Sequence, residues 1–162
     1  MNLNRINQLI LSNKIDEALH FIEEIGKIKD IAAAPLLLEL LTTTENHLIR
    51  NQTAIALSDM GCQEAVEPII ELLQDPKTLG YRGSLLYALE PLNYSKHIDI
   101  LLEFVISGNF EVSRNSFLLL EQVKDQITPE LKQKYRNKIN TIIEGLEEEI
   151  EFLEETIEEL NL

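Results

Sequence analysis

The side chains able to do chemistry are few and dispersed. The histidines are His20, His47 and His97, scattered along the chain with no Cys beside them at metal-ligand spacing. They read as surface or packing histidines. Cys62 is the single cysteine, so no internal disulfide can form. It follows Gly61 at the start of a helix pair. A helix N-terminus can acidify a thiol, but no basic residue lies close in sequence, so Cys62 reads as structural. No nucleophile elbow, phosphate loop or dinucleotide fingerprint occurs. The Glu-rich run 144–159 supplies many carboxylates, but on one continuous helix they cannot wrap an ion, and they read as a solvated face. The expectation is a chain without catalytic residues, metal or cofactor, and not an enzyme.

One set of charged residues is ordered. Arg50, Arg82 and Arg114 are evenly spaced along the chain. Each follows an apolar run: Ala32–Leu41 before Arg50, Ala65–Leu73 before Arg82, and His97–Phe104 before Arg114. Leu85, Leu86 and Leu89 continue the pattern after Arg82. A repeat of this length built from two helices implies a stack in which each unit covers the next. The fold class expected is all-α: a short α-solenoid of helix pairs with a long amphipathic C-terminal helix.

The units follow from the breaks. A degenerate first unit spans 1–27. Leu3, Ile6, Leu9 and Ile10 share one face, Ser12-Asn13-Lys14 is a turn, and Ile15, Leu19, Ile22 and Ile25 form the second helix, with Gly26 expected as its C-terminal cap. Repeats follow at 28–61, 62–93 and 94–127. Gly61 ends the first, and Asn93 is expected in the equivalent left-handed position. Pro35 and Pro68 lie near helix starts, and Pro91 ends its helix early. The last repeat departs from the pattern, with Ile100 at the proline position, Glu121 in place of Leu57 and Leu89, and Lys124 in place of Met60 and Leu92. Its second helix is expected to rotate, using Phe117, Leu120, Val123 and Ile127. Thr128-Pro129-Glu130 then opens a helix over 128–162, with Thr as cap and Pro at the first position.

Composition narrows the partners. Acidic residues number 28 against 14 basic, a net charge of −14. With no basic stripe, nucleic acid is not an expected ligand. The excess acid serves solubility or a cationic partner, such as a protein that itself binds nucleic acid. Met1-Asn2-Leu3-Asn4-Arg5 is not built like a signal peptide, and no apolar run is long enough to span a membrane. With one cysteine, the expectation is a cytoplasmic protein.

The central units resemble HEAT repeats, in particular the short HEAT-like repeats of phycobilisome-lyase-type proteins. Glu64–Leu73 matches the first helix, Asp75-Pro76 the turn, and Arg50 with Ala54, Ala56, Leu57 and Gly61 the second helix. The resemblance covers 28–123. It implies an antiparallel helix pair per unit, with second helices lining a concave face. It also suggests that Arg50, Arg82 and Arg114 form a polar ladder between units. Asp75 could partner that ladder, although Thr43 and Ser107 stand at the equivalent turns.

Two surfaces then stand out. Ile55, Tyr87 and Leu119 share the spacing of the arginines, beside Asn51 and Ser58, Gly83 and Glu90, and Asn115 and Gln122. On second helices that line the concave side they make an apolar stripe, so Asn51, Ile55, Tyr87, Glu90, Asn115 and Leu119 are the candidate partner-binding residues. The competing reading makes the stripe core, through tight curvature or cover by the C-terminal helix. On that last helix Ile143, Ile150 and Ile157 take a positions of a heptad, and Ile139, Leu146, Leu153 and Leu160 take d positions. Glu147, Glu149 and Glu154 flank this seam and oppose a parallel homodimer. Lys132, Lys134, Arg136 and Lys138 precede nine glutamates, so an antiparallel neighbour is favoured, either a second copy or the chain's own last repeat. The function expected is a protein-binding module and, more specifically, an inhibitor or immunity protein that neutralises a basic toxin or nuclease domain. A bilin-lyase-like chaperone or enzyme and an assembly unit dimerising through the last helix are the alternatives.

Overall fold

The period of the sequence reappears in the backbone of the computed structural model, which describes residues 2–161. Nine α-helices occur among the described residues: α1 (Asn2–Leu11), α2 (Ile15–Lys27), α3 (Ala34–Thr43), α4 (His47–Asp59), α5 (Val66–Gln74), α6 (Gly83–Leu89), α7 (Ile98–Ser107), α8 (Phe110–Gln122) and α9 (Pro129–Leu160). No strand occurs among them. The Leu3 side chain, expected on the apolar face of the first helix, lies outside what is described. Three first helices are each preceded by a short 3-10 turn, at Ile31–Ala33, Gln63–Ala65 and Ser95–His97. These turns share the even spacing of the arginines, although their sequences have little in common. The chain forms two compact units, one ending at Gln122 and one beginning at Val123.

In the first unit the helices pair as α1 with α2, α3 with α4, α5 with α6 and α7 with α8. The second helices α2, α4, α6 and α8 pack each on the next and form a continuous layer. Ile22, Ile25, Ile49, Leu57, Leu85, Leu86 and Leu89 are buried there. Each such side chain, fully buried, stabilises the fold by about 1.5–3 kcal/mol before entropy is counted. Helix α4 sits between α2, α3 and α6, and is buried on most sides, through Ile49, Thr53, Ala54, Ala56, Leu57 and Ser58. Asn46 starts it, accepting bonds from the backbone N–H groups of Leu48 and Ile49.

Three local expectations change. Gly26 lies inside α2, not at its end, and Lys29 takes the left-handed conformation (φ 52°) beyond the helix. The glycine is needed because a Cβ there would stand 2.8 Å from the Cα of Ala56, where α2 crosses α4. Asn93 is not among the left-handed residues, whereas Gly61 is, with φ 70°. Helix α6 already ends at Leu89, ahead of Pro91, so Asn93 is no longer placed to cap it. Its backbone instead exchanges two bonds with the Gln63 side chain, at 2.9 and 3.0 Å, clasping the end of its unit to the start of the same unit. Helix α8 ends at Gln122 and buries Val112, Ser116, Leu119 and Leu120, while Phe117 is exposed, and Val123 and Ile127 lie beyond the helix.

The second unit is dominated by α9, 32 residues and about 48 Å long. Thr128 caps it, its hydroxyl accepting from the Leu131 N–H. Pro129 occupies the first turn, and Gly145 leaves the helix unbroken. Backbone N–H donation and the Thr128 hydroxyl hold the Glu130 carboxyl below its ordinary pKa, as expected of an acid at the positive end of a helix.

Candidate functional site

The second-helix layer presents a cleft between α6 and α8. Leu86, Tyr87 and Glu90 line one side, and Asn115, Leu118, Leu119 and Gln122 the other, around about 110 Å³. A hollow of about 410 Å³ lies next to it, lined by Ser58, Asp59, Tyr87, Glu90, Pro91 and Gln122. The two share Tyr87, Glu90 and Gln122. The Gln122 side-chain amide donates to the Glu90 carboxylate at 3.4 Å across the unit boundary. Tyr87 is 60 % exposed and rises at the rim, whereas Leu119 is 3 % exposed and forms part of the floor.

The height difference has a local cause. Tyr94 is 2 % exposed, and its phenol donates to the Leu119 carbonyl at 2.9 Å, so Leu119 sits over the start of its own unit. Burial, with the Glu90 charge nearby, pushes the Tyr94 pKa up from its ordinary value. Of the six residues singled out in the sequence, Tyr87, Glu90, Asn115 and Leu119 line the cleft. Ile55 is half-buried on α4. The Asn51 amide donates to the Tyr81 carbonyl at 3.2 Å, and His47 stacks on the Tyr81 ring at 3.9 Å between centroids. These contacts bind the α4 end of the layer to the turn before α6.

Leu118, Leu86, Pro91 and Asp59 join the site without having been singled out. Ser58, Glu90 and Gln122 are evenly spaced, and that regularity was the available signal for the hollow. Leu118 carries no such signal, since its one-residue offset from Leu119 looks like an ordinary exposed position.

The arginines are placed differently from one another. Arg50 is 2 % exposed, and one of its terminal nitrogens donates to the carbonyls of Thr44 and Glu45 at 3.3 and 3.4 Å. Its Nε and other terminal nitrogen are buried with no hydrogen-bond partner among the described residues. Arg82 donates to the Thr78 hydroxyl at 3.2 Å and the Asp75 carbonyl at 3.3 Å, and stands over the Phe104 ring of the next unit. Both arginines thus satisfy carbonyls left open after the first helix of their own unit. Arg114 is exposed, and in its unit the Ser113 hydroxyl donates to the carbonyls of Phe104 and Gly108 instead. Asp75 meets Arg82 through its backbone, while its carboxylate accepts from the Lys77 N–H at 2.9 Å.

Cys62 is 8 % exposed and lies in a separate hollow of about 460 Å³ with Ile31, Pro35, Leu38 and Met60. Burial, and the Glu64 carboxylate that accepts from the thiol, push its pKa up, away from the reactive thiolate. No group of three or more His, Cys, Asp or Glu that could hold a metal occurs among the described residues, and no helix there is long and apolar enough to cross a membrane.

The sequence model of a family described as HEAT repeats matches residues 5–90. Searches of curated proteins and of solved structures find no match. The matched span runs from α1 to the end of α6, and α7 with α8 continue the same pairing beyond it. The helix pairs, their stacking and the sequence match agree, and the chain belongs to the HEAT-repeat family.

Proposed function

We propose that this chain is a non-catalytic module that holds a protein with a basic surface on its second-helix layer, centred on Tyr87. HEAT repeats generally mediate protein–protein interaction. The observation that carries the reading is the cleft itself: an exposed aromatic ring at the rim, buried Leu86 and Leu119 below it, exposed Leu118 across from it, and the carboxylates of Asp59 and Glu90 beside it. Aromatic rings anchor protein interfaces, and a ring flanked by carboxylates suits Lys or Arg through cation–π and ionic contact. The net charge of −14 would steer such a partner toward the chain. An inhibitor of a cationic toxin or nuclease domain is the role that fits this chemistry. The bilin-lyase alternative is less favoured, because Cys62 is buried and burial pushes its thiol pKa up.

Affinity capture from cells of the source tests the reading. A basic protein should be retained by the unaltered chain, with association slowing steeply as salt rises, and should be lost on Glu90→Lys. Retention of an acidic partner, or salt-independent association, contradicts it.

A further inference from the structure

Helix α9 carries a second surface that the cleft does not explain. Ile139, Ile143, Leu146, Ile150, Leu153, Ile157 and Leu160 form its heptad seam, and all are exposed, Ile150 by 55 %. Large apolar residues aligned in this way on a solvated helix mark an interaction site. Charge decides what can cover them. Between positions 139 and 160 there are nine glutamates and no lysine or arginine.

A second copy fits poorly. In parallel register Glu149 of one copy meets Glu154 of the other. In antiparallel register two alignments match the a and d layers equally well: one pairs Ile143 with Leu160, Leu146 with Ile157 and Ile150 with Leu153, and the other pairs Ile139 with Ile157, Ile143 with Leu153 and Leu146 with Ile150. Both helices are acidic across either overlap; Lys132, Lys134, Arg136 and Lys138 lie outside the first, and in the second only Lys138 faces a glutamate, Glu158, at its edge. Sliding the copies until Lys138 faces Glu151 restores attraction, but sets Arg136 against Leu153 and Lys132 against Ile157. A self-pair that keeps the apolar layers therefore leaves most of the glutamates facing glutamates. The apolar layers and the glutamates are met at once by a helix with apolar a and d positions and Lys or Arg at e and g.

We infer that the Ile/Leu seam of α9 is a docking site for a basic amphipathic helix of another protein. The inference concerns a different surface from the cleft and stands independently of it. The full chain, titrated with synthetic peptides about three heptads long, tests it. One peptide carries Ile and Leu at a and d with Lys at e and g. A second has Glu at e and g. A third has the composition of the first in scrambled order. The first should bind one to one, at least about tenfold tighter than the scrambled peptide, and weaken about tenfold or more between roughly 0.05 and 0.5 M salt. The Glu peptide should not bind. Ile150→Glu together with Leu146→Glu should abolish binding of the first.

Equal binding of the scrambled peptide would show acidity alone at work and overturn the inference. So would a chain that sediments as a dimer at neutral pH and low salt and becomes monomeric on Ile150→Glu, since a second copy would then be the occupant. A lowered melting temperature of Ile150→Glu, with no peptide bound by the unaltered chain, would also overturn it and assign the seam to the chain's own stack. A partner that survives Ile150→Glu but is lost on Glu90→Lys separates this surface from the cleft.

Discussion

Two residues show how single positions hold the layer together. Tyr94 is buried, and its phenol satisfies the Leu119 carbonyl at 2.9 Å. Tyr94→Phe should cost about 1 kcal/mol at neutral pH, read from denaturant midpoints. The same phenol gives a pH signature. Its folded pKa is raised above the ordinary 10.0, so the unfolded chain loses the proton first. The stability it contributes is complete below that pH and is lost as pH rises through the folded value. Alkaline unfolding curves should therefore differ between the two proteins less at high pH than at neutral pH. Gly26 is the second case. Gly26→Ala places a methyl 2.8 Å from the Ala56 backbone, so α2 and α4 must separate. The expected loss is about 1–3 kcal/mol in thermal or chemical unfolding. Gly26 reads as a cap in the sequence because a capping glycine and a close-approach glycine look alike after an apolar helical run. Only the partner helix tells them apart, and Ala56 belongs to the next unit along the chain.

At the scale of elements, the repeat was legible because the arginines and leucines recur at one fixed interval; the paired helices and the all-α class follow from that spacing, and the early end of α6 from Pro91. Side-chain exposure was less legible. Ile55, Tyr87 and Leu119 are equivalent by period, yet Tyr87 is exposed and Leu119 buried. Leu119 is held down by Tyr94, whose counterpart in the preceding unit is Cys62, too short to reach a neighbouring helix in the same way. The rotation expected of α8 likewise assumed a helix reaching past Gln122. Helix α9 was the most readable element, its cap and its length both written in its sequence. It also offers a clean test of propensity. A methyl added at Gly145 would meet no neighbouring atom within 4 Å, so Gly145→Ala should stabilise the helix by about 0.5–1 kcal/mol, seen as ellipticity retained on heating. No gain would mean that position 145 packs against something when the helix is in use.

For the whole molecule, the family explains the architecture, and the proposal made above places a basic partner on the acidic, aromatic-rimmed cleft. Tyr87→Ala should weaken that partner by about 2 kcal/mol or more without lowering the melting temperature, since a ring 60 % exposed contributes little to the core. Hydroxyl-radical footprinting of the unaltered chain, free and saturated with the partner it captures, addresses the central claim most directly. Phe110, 86 % exposed and outside both hollows, serves as the internal reference. Labelling of Tyr87 should fall several-fold in the complex while Phe110 is labelled as before. Tyr87 labelled at its free rate in the saturated complex would contradict the assignment of the second-helix cleft as the binding face.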